Sequence, residues 1–209
     1  MKKLMLLILI GLLPLSIIAQ DVVVLKHTNY TTHFSKSKRY PVLVEWTTTK
    51  EMVGCPTPLK RKDNFKPDPK LPVETNIAAD YVKSGYDRGH IMPAADNLCQ
   101  TPAVQDECFY FSIMVAQTHR LNAGDWKSLE TATRNWSMIS SKVRVWSGSV
   151  GEQKKIGSVS VPTQCWKVVE IAGKKTAYLF NNDLSAADGF ANNEVPVAQI
   201  EKLTGFKFN

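Results

Sequence analysis

The amino-acid sequence predicts an α+β fold, an antiparallel sheet packed against one long central helix. Three observations predict it. Runs rich in β-branched and aromatic residues recur at 42–49, 143–150, 166–171 and 176–180, each of strand length. Gly173-Lys174 stands between the last two and reads as a hairpin turn. Between the first and second, residues 122–138 carry Trp126, Leu129, Thr133 and Trp136 at steps of three and four, the period of an amphipathic helix.

Taken in order, the chain of 209 residues opens on a segment unlike the rest. Lys2 and Lys3 precede an almost wholly apolar stretch, residues 4–18, broken by Gly11, Pro14 and Ser16 and followed by the small residue Ala19. That is the pattern of a secretory signal. The stretch is short of the roughly 20 residues that span a bilayer; an uncleaved N-terminal anchor is the alternative. Residues 1–20 are therefore expected to be a signal peptide and 21–209 a single domain. The product would be secreted or periplasmic, with no stable membrane association after cleavage.

Residues 21–36 begin as a short strand-like run and fade into a polar stretch. Residues 54–72 carry five prolines and several charges and read as an exposed loop. Residues 108–115 form an apolar run of strand length, and 195–203 a closing helix capped by Gly205. The tryptophans Trp126, Trp136, Trp146 and Trp166 are most economically core residues.

Four cysteines, Cys55, Cys99, Cys108 and Cys165, form an even count in an exported chain, which points to disulfides. Cys99 with Cys108 would staple a loop and Cys55 with Cys165 would tie distant segments. The rival, a zinc site, lacks any C-x-x-C or C-x-x-H spacing. The formal charge of +7 becomes +5 without Lys2 and Lys3. A positive field draws in polyanions, but many basic proteins have no nucleic-acid role.

Chemistry concentrates between Asp87 and Glu130. Asp87-Arg88-Gly89-His90 alone is ambiguous, since a lone histidine near a strand end is often structural. Further on, Asn122 falls at the expected helix start, where asparagine is also an ordinary N-cap. Trp126 and Glu130 follow at steps of four, so the three share one broad side of a helix. A neutral amide oxygen with a few waters suits a hard Mg²⁺ ion.

Asp87-Arg88-Gly89-His90, then Asn122, then Trp126-x-x-Leu129-Glu130, resembles the DNA/RNA non-specific endonucleases, whose core is the ββα-metal or His-Me finger. The resemblance extends to Ala79-Asp80-Tyr81-x-x-Ser84-Gly85-Tyr86, Phe109-Tyr110-Phe111-Ser112, Val161-Pro162-Thr163 with Trp166-Lys167-Val168, and the segment from Ile200 to Gly205. It implies that His90 is the general base, that Asn122 is the protein ligand to one Mg²⁺, and that Glu130 orders the waters around that ion. It implies that Arg88 and Arg61 contact the scissile phosphate, with Asp87 fixing the turn that aims His90. It further implies Mg²⁺ (Mn²⁺ being the alternative), DNA and RNA as substrates, and a homodimer. One departure stands out: the family motif Ser-Asn-x-x-Pro-Gln is here Ser112-Ile113-Met114-Val115-Ala116-Gln117, with Ile113 in place of an active-site asparagine. A weakened or inactive nuclease-fold protein that binds nucleic acid is the competing reading, and a binder of anionic envelope polymers a third.

Overall fold

A computed structural model describes residues 21–71, 78–183 and 189–209. The expected signal peptide, residues 1–20, lies outside the described residues. The main sheet has seven strands, β1 (Val22–Lys26), β2 (Tyr30–Ser35), β3 (Tyr40–Thr49), β6 (Lys142–Val150), β9 (Gln164–Ile171), β10 (Lys174–Asn181) and β11 (Glu194–Val195), side by side in that order. Every pairing in it is antiparallel. Two small antiparallel pairs stand apart: β4 (Asp87–His90) with β5 (Met114–Gln117), and β7 (Lys154–Ile156) with β8 (Val159–Val161). Four helices matter here: α1 (Lys50–Val53), α2 (Pro102–Glu107), α3 (Lys127–Ser140) and α4 (Val197–Thr204).

Strand side chains alternate between the faces of a sheet, and β9 obeys this strictly. Trp166 and Val168 enter an apolar cluster with Leu43, Trp146, Ile200 and Phe208, on the face covered by α4 and the C-terminus. Cys165 and Val169 point the other way, into the larger cluster that contains Trp126 and Leu129 from the central helix. Lys167 lies between them in sequence and so shares that second face, only 1% exposed. The central helix buries Leu129, Thr133 and Ser137, as its periodicity predicts. Gly205 ends α4 with φ +77°, a left-handed turn that glycine adopts without steric cost.

Four expectations need correction. Residues 21–36 form a full hairpin, because Thr32, Phe34 and Ser35 bury their side chains against the neighbouring layer. The apolar run 108–115 is a strand only from Met114; before it the chain takes a tight helical turn, Phe111–Ile113, that packs under the main sheet. Asn122 does not cap a helix. Thr118 does so, accepting from Leu121 N, and an irregular wide turn with Gly124 at its kink separates that single turn from α3. Finally, the disulfide joins Cys55 to Cys99, Cα atoms 5.6 Å apart. Cys108 and Cys165 are free and buried. Cys165 is fixed in a central strand beside Gln117, and Cys108 packs with Ala94 and Phe109, so neither reaches another cysteine.

Candidate active site

The pair β4–β5 and helix α3 form a compact unit that carries the sequence-predicted residues. His90 stands opposite Met114, and Asp87 opposite Gln117. Gly89 is required here, since a Cβ would fall 2.0 Å from Gln117 Oε1. Trp126 is wholly buried, and its indole Nε1 donates to the His90 carbonyl at 2.9 Å. The helix thereby anchors the backbone of the histidine it faces.

His90, Arg88, Arg61, Asn122 and Glu130 all line one pocket of about 320 Å³, with Arg134 and Lys127 at its edge. The structure thus brings together the five residues expected to act on phosphate, water or metal, with Asp87 lining the adjoining trough. His90 is 8% exposed, and its Nε2 is buried without a hydrogen-bond partner. Burial, with Arg61 and Arg88 adding to it, pulls its pKa down to about 3. The ring is therefore neutral at physiological pH, the state in which imidazole accepts a proton.

Two aromatic rings that sequence reasoning missed hold this arrangement. Phe65 lies 5.5 Å from the His90 ring and carries the Arg88 guanidinium 4.0 Å from its centroid. Phe109 stands edge-on to His90 at 5.4 Å and carries Arg61 at 5.4 Å. Both arginines are exposed at their tips, so the rings give them direction at little desolvation cost. The loop that bears Arg61 and Phe65 is itself clamped by the Cys55–Cys99 disulfide.

Asp87 does more than shape a turn. Its Oδ2 accepts from Asn122 Nδ2 at 2.9 Å and lies 2.8 Å from His119 Nδ1. An ionised carboxylate can only accept, so the amide must present its NH₂ to Asp87 and keep its carbonyl oxygen for another partner. His119 itself is largely exposed.

Beneath the pocket lies a mixed-charge cluster. Arg134 Nη1 is 3.3 Å from Asp96 Oδ1, and Asp96 also accepts from Thr48 at 2.6 Å and Trp46 at 3.1 Å. The Lys167 ammonium sits 4.2 Å from the Trp126 ring centroid. Burial pushes the Glu130 carboxyl up to about 7; Lys167 and Arg134 oppose that and Asp96 adds to it. Burial likewise lowers Lys167, with Glu130 and Asp96 holding it back. A charged residue inside the apolar run Trp166-Lys167-Val168-Val169 is the one sequence signal of this cluster.

Among the described residues no group of three or more His, Cys, Asp or Glu could hold a metal ion, which removes a closed cage of the zinc type. One amide oxygen and one carboxylate beside a pocket with room for several waters suit instead a hard divalent ion, such as Mg²⁺, that keeps most of its hydration.

The departure at Ile113 has a structural place. Its side chain is completely buried in the larger apolar cluster.

A family model described as DNA/RNA non-specific endonuclease matches residues 16–209. A nuclease of Nostoc sp. is 28% identical over 95% of this chain and 77% of its own length. The mitochondrial nuclease EXOG of Danio rerio is 31% identical over 87% of this chain, which spans about 55% of that relative. Among solved structures, a complex of EndoG with EndoGI superposes with a TM-score of 0.78 at 28% identity, covering 88% of this chain and 84% of that one.

Proposed function

From its place in the DNA/RNA non-specific endonuclease family, to which this chain belongs, we propose that it hydrolyses phosphodiester bonds of both DNA and RNA with little sequence preference. The observation that carries the reading is His90: a neutral imidazole with an unpaired ring nitrogen, at the wall of a pocket flanked by two arginines.

His90 takes the proton from the attacking water. With its pKa below the ordinary histidine value, chiefly through burial, the ring is unprotonated and can accept, and general-base action is typically worth about 10²–10⁴-fold. Arg88 and Arg61, aimed by Phe65 and Phe109, face the scissile phosphate and stabilise the charge that builds on it. The Asn122 carbonyl oxygen would hold Mg²⁺, or Mn²⁺, and the Glu130 carboxylate would order the waters around that ion. When bound, the ion supplies positive charge at the phosphate and the departing 3′ oxygen, leaving 5′-phosphate and 3′-hydroxyl ends. Contacts that include no hydrogen bond to a base edge account for weak sequence preference. Export through the N-terminal segment, and a homodimer, belong to the same proposal. No helix among the described residues is long and apolar enough to cross a membrane.

Ile113 favours a second reading, a weakened nuclease that mainly binds nucleic acid, because an apolar side chain there makes no hydrogen bond. One experiment separates the two: degradation of plasmid and total RNA by residues 21–209, with Mg²⁺ or EDTA, beside His90→Ala. Cleavage that needs both the ion and His90 is expected. Binding without cleavage under any divalent ion would overturn the catalytic reading and make Ile113→Asn the next variant.

A further inference from the structure

The pocket around His90 is the middle of a track. On one side it shares Arg88 and Asn122 with a trough of about 450 Å³. On the other it shares Arg61 with a hollow of about 390 Å³. Each space is of the size that takes a small ligand fragment.

The two flanks differ in chemistry. The hollow beyond Arg61 offers Lys60 and Lys62 with the aliphatic walls Leu59 and Pro102, and no aromatic ring. The trough beyond Arg88 offers Phe65, Tyr81 and Tyr86 with Lys83. Two of those rings are committed. Phe65 carries Arg88, and Tyr81 is 6% exposed and stacked on Phe111. Tyr86 also carries a cation, the Lys154 ammonium 4.8 Å from its centroid, and packs partly against the larger apolar cluster, but it stays partly exposed and lines the trough. Asp87 is the one carboxylate among the described residues of that lining, and Asn122 and His119 already engage it.

We propose that this trough is a base-binding subsite, in which Tyr86 stacks one base of the substrate strand next to the scissile phosphate while Lys83 and Lys154 attract the adjoining phosphate. The proposal rests on the nuclease reading and deepens it. Every base has a π-face, so one stack adds affinity without sequence preference. The flank at Lys60 and Lys62 then contacts backbone alone. Substrate recognition is thus lopsided: one side of the cut is felt through a base, the other only through charge.

The test uses short single-stranded oligonucleotides with one abasic site moved along the strand. For the wild-type protein, an abasic site at one position on one side of the cut should weaken kcat/KM roughly tenfold, the scale of one lost base stack. Mirror positions across the cut should matter little. Tyr86→Leu should lose the same factor on intact strands and show no further loss at that abasic position, while Tyr86→Phe retains the wild-type pattern. Equal sensitivity on both sides, or a full abasic penalty persisting in Tyr86→Leu, overturns the proposal. In EDTA, 2-aminopurine at the sensitive position should be quenched on binding by the wild type and not by Tyr86→Leu. Quenching without cleavage in Mg²⁺ would keep the subsite and defeat the nuclease reading. Binding with no Tyr86-dependent quenching would do the reverse.

Discussion

His27 and His90 are both withdrawn from water, and their neighbours make them different groups. The His27 side chain is 1% exposed, stacked on Tyr30 at 4.6 Å, with Nε2 2.9 Å from Asp68. Asp68 also accepts from Ser112 Oγ at 2.5 Å and from Lys70 N at 2.9 Å. Burial alone would raise the Asp68 pKa, but these hydrogen bonds outweigh it and hold the carboxyl below its ordinary range. His90 has no hydrogen-bonded carboxylate; burial and the charges of Arg61 and Arg88 lower its pKa against an opposing pull from Asp63, and Nε2 is unpaired. A buried histidine beside a carboxylate ties a fold together. One between cations, at a pocket wall, is kept neutral for a substrate.

Four measurements would break or sharpen this contrast. The largest effect is expected at His90: His90→Ala should lower kcat by about 10²–10⁴-fold. His27→Ala should keep turnover per folded molecule and lower the urea midpoint instead. Similar kinetic losses in both would erase the distinction. Next comes the partner of His27. Asp68→Ala leaves a buried histidine and hydroxyl unpaired and should cost about 3–5 kcal/mol in urea unfolding, again without slowing each folded molecule.

Phe65→Ala tests whether the site depends on its aromatic shelf. With Arg88 and His90 both freed, kcat/KM should fall by about 10², while a melting curve close to wild type would locate the loss in positioning. A variant as active as wild type would show that Arg88 aims itself.

The last measurement concerns acid. The folded pKa of His90, about 3, lies below its unfolded value of 6.5. The unfolded chain therefore gains a proton first as pH falls, and stability present above 6.5 is lost between 6.5 and 3. One such proton is worth about 1.4 kcal/mol per pH unit. Glu130 works oppositely, because its folded value of about 7 lies above 4.5; it stabilises as pH falls through 7 toward 4.5. Asp68 contributes its loss lower, below 3.8. Comparing pH-dependent unfolding of wild type and His90→Ala isolates the first window. An unchanged difference from pH 6.5 to 4 would mean that His90 is not held neutral by its surroundings.

The chemistry was legible where it is local. Asp87 to His90 reads as a strand end, and Asn122, Trp126 and Glu130 stand at steps of four, although a turn kinked at Gly124, not one continuous helix, carries Asn122 to the site. The resemblance supplied their roles. Elements whose form depends on distant layers were less legible. The hairpin partner Tyr30–Ser35 looked polar because Thr32 and Ser35 are buried as polar residues. The run 108–115 turned before becoming a strand, and Thr118 displaced Asn122 as the cap.

By itself, the sequence determined the fold class, the central helix and most strands, because side-chain period is a property of neighbours along the chain, while the family resemblance pointed to His90, Arg88, Arg61, Asn122 and Glu130. Only the tertiary structure decided which cysteines pair, that Phe65 and Phe109 carry the arginines, that Asp87 turns the Asn122 amide, and that Lys167 lies beneath Glu130. Those relations join segments far apart in the chain. The proton affinity of His90 depends on burial and facing charges, which exist only once the layers have closed.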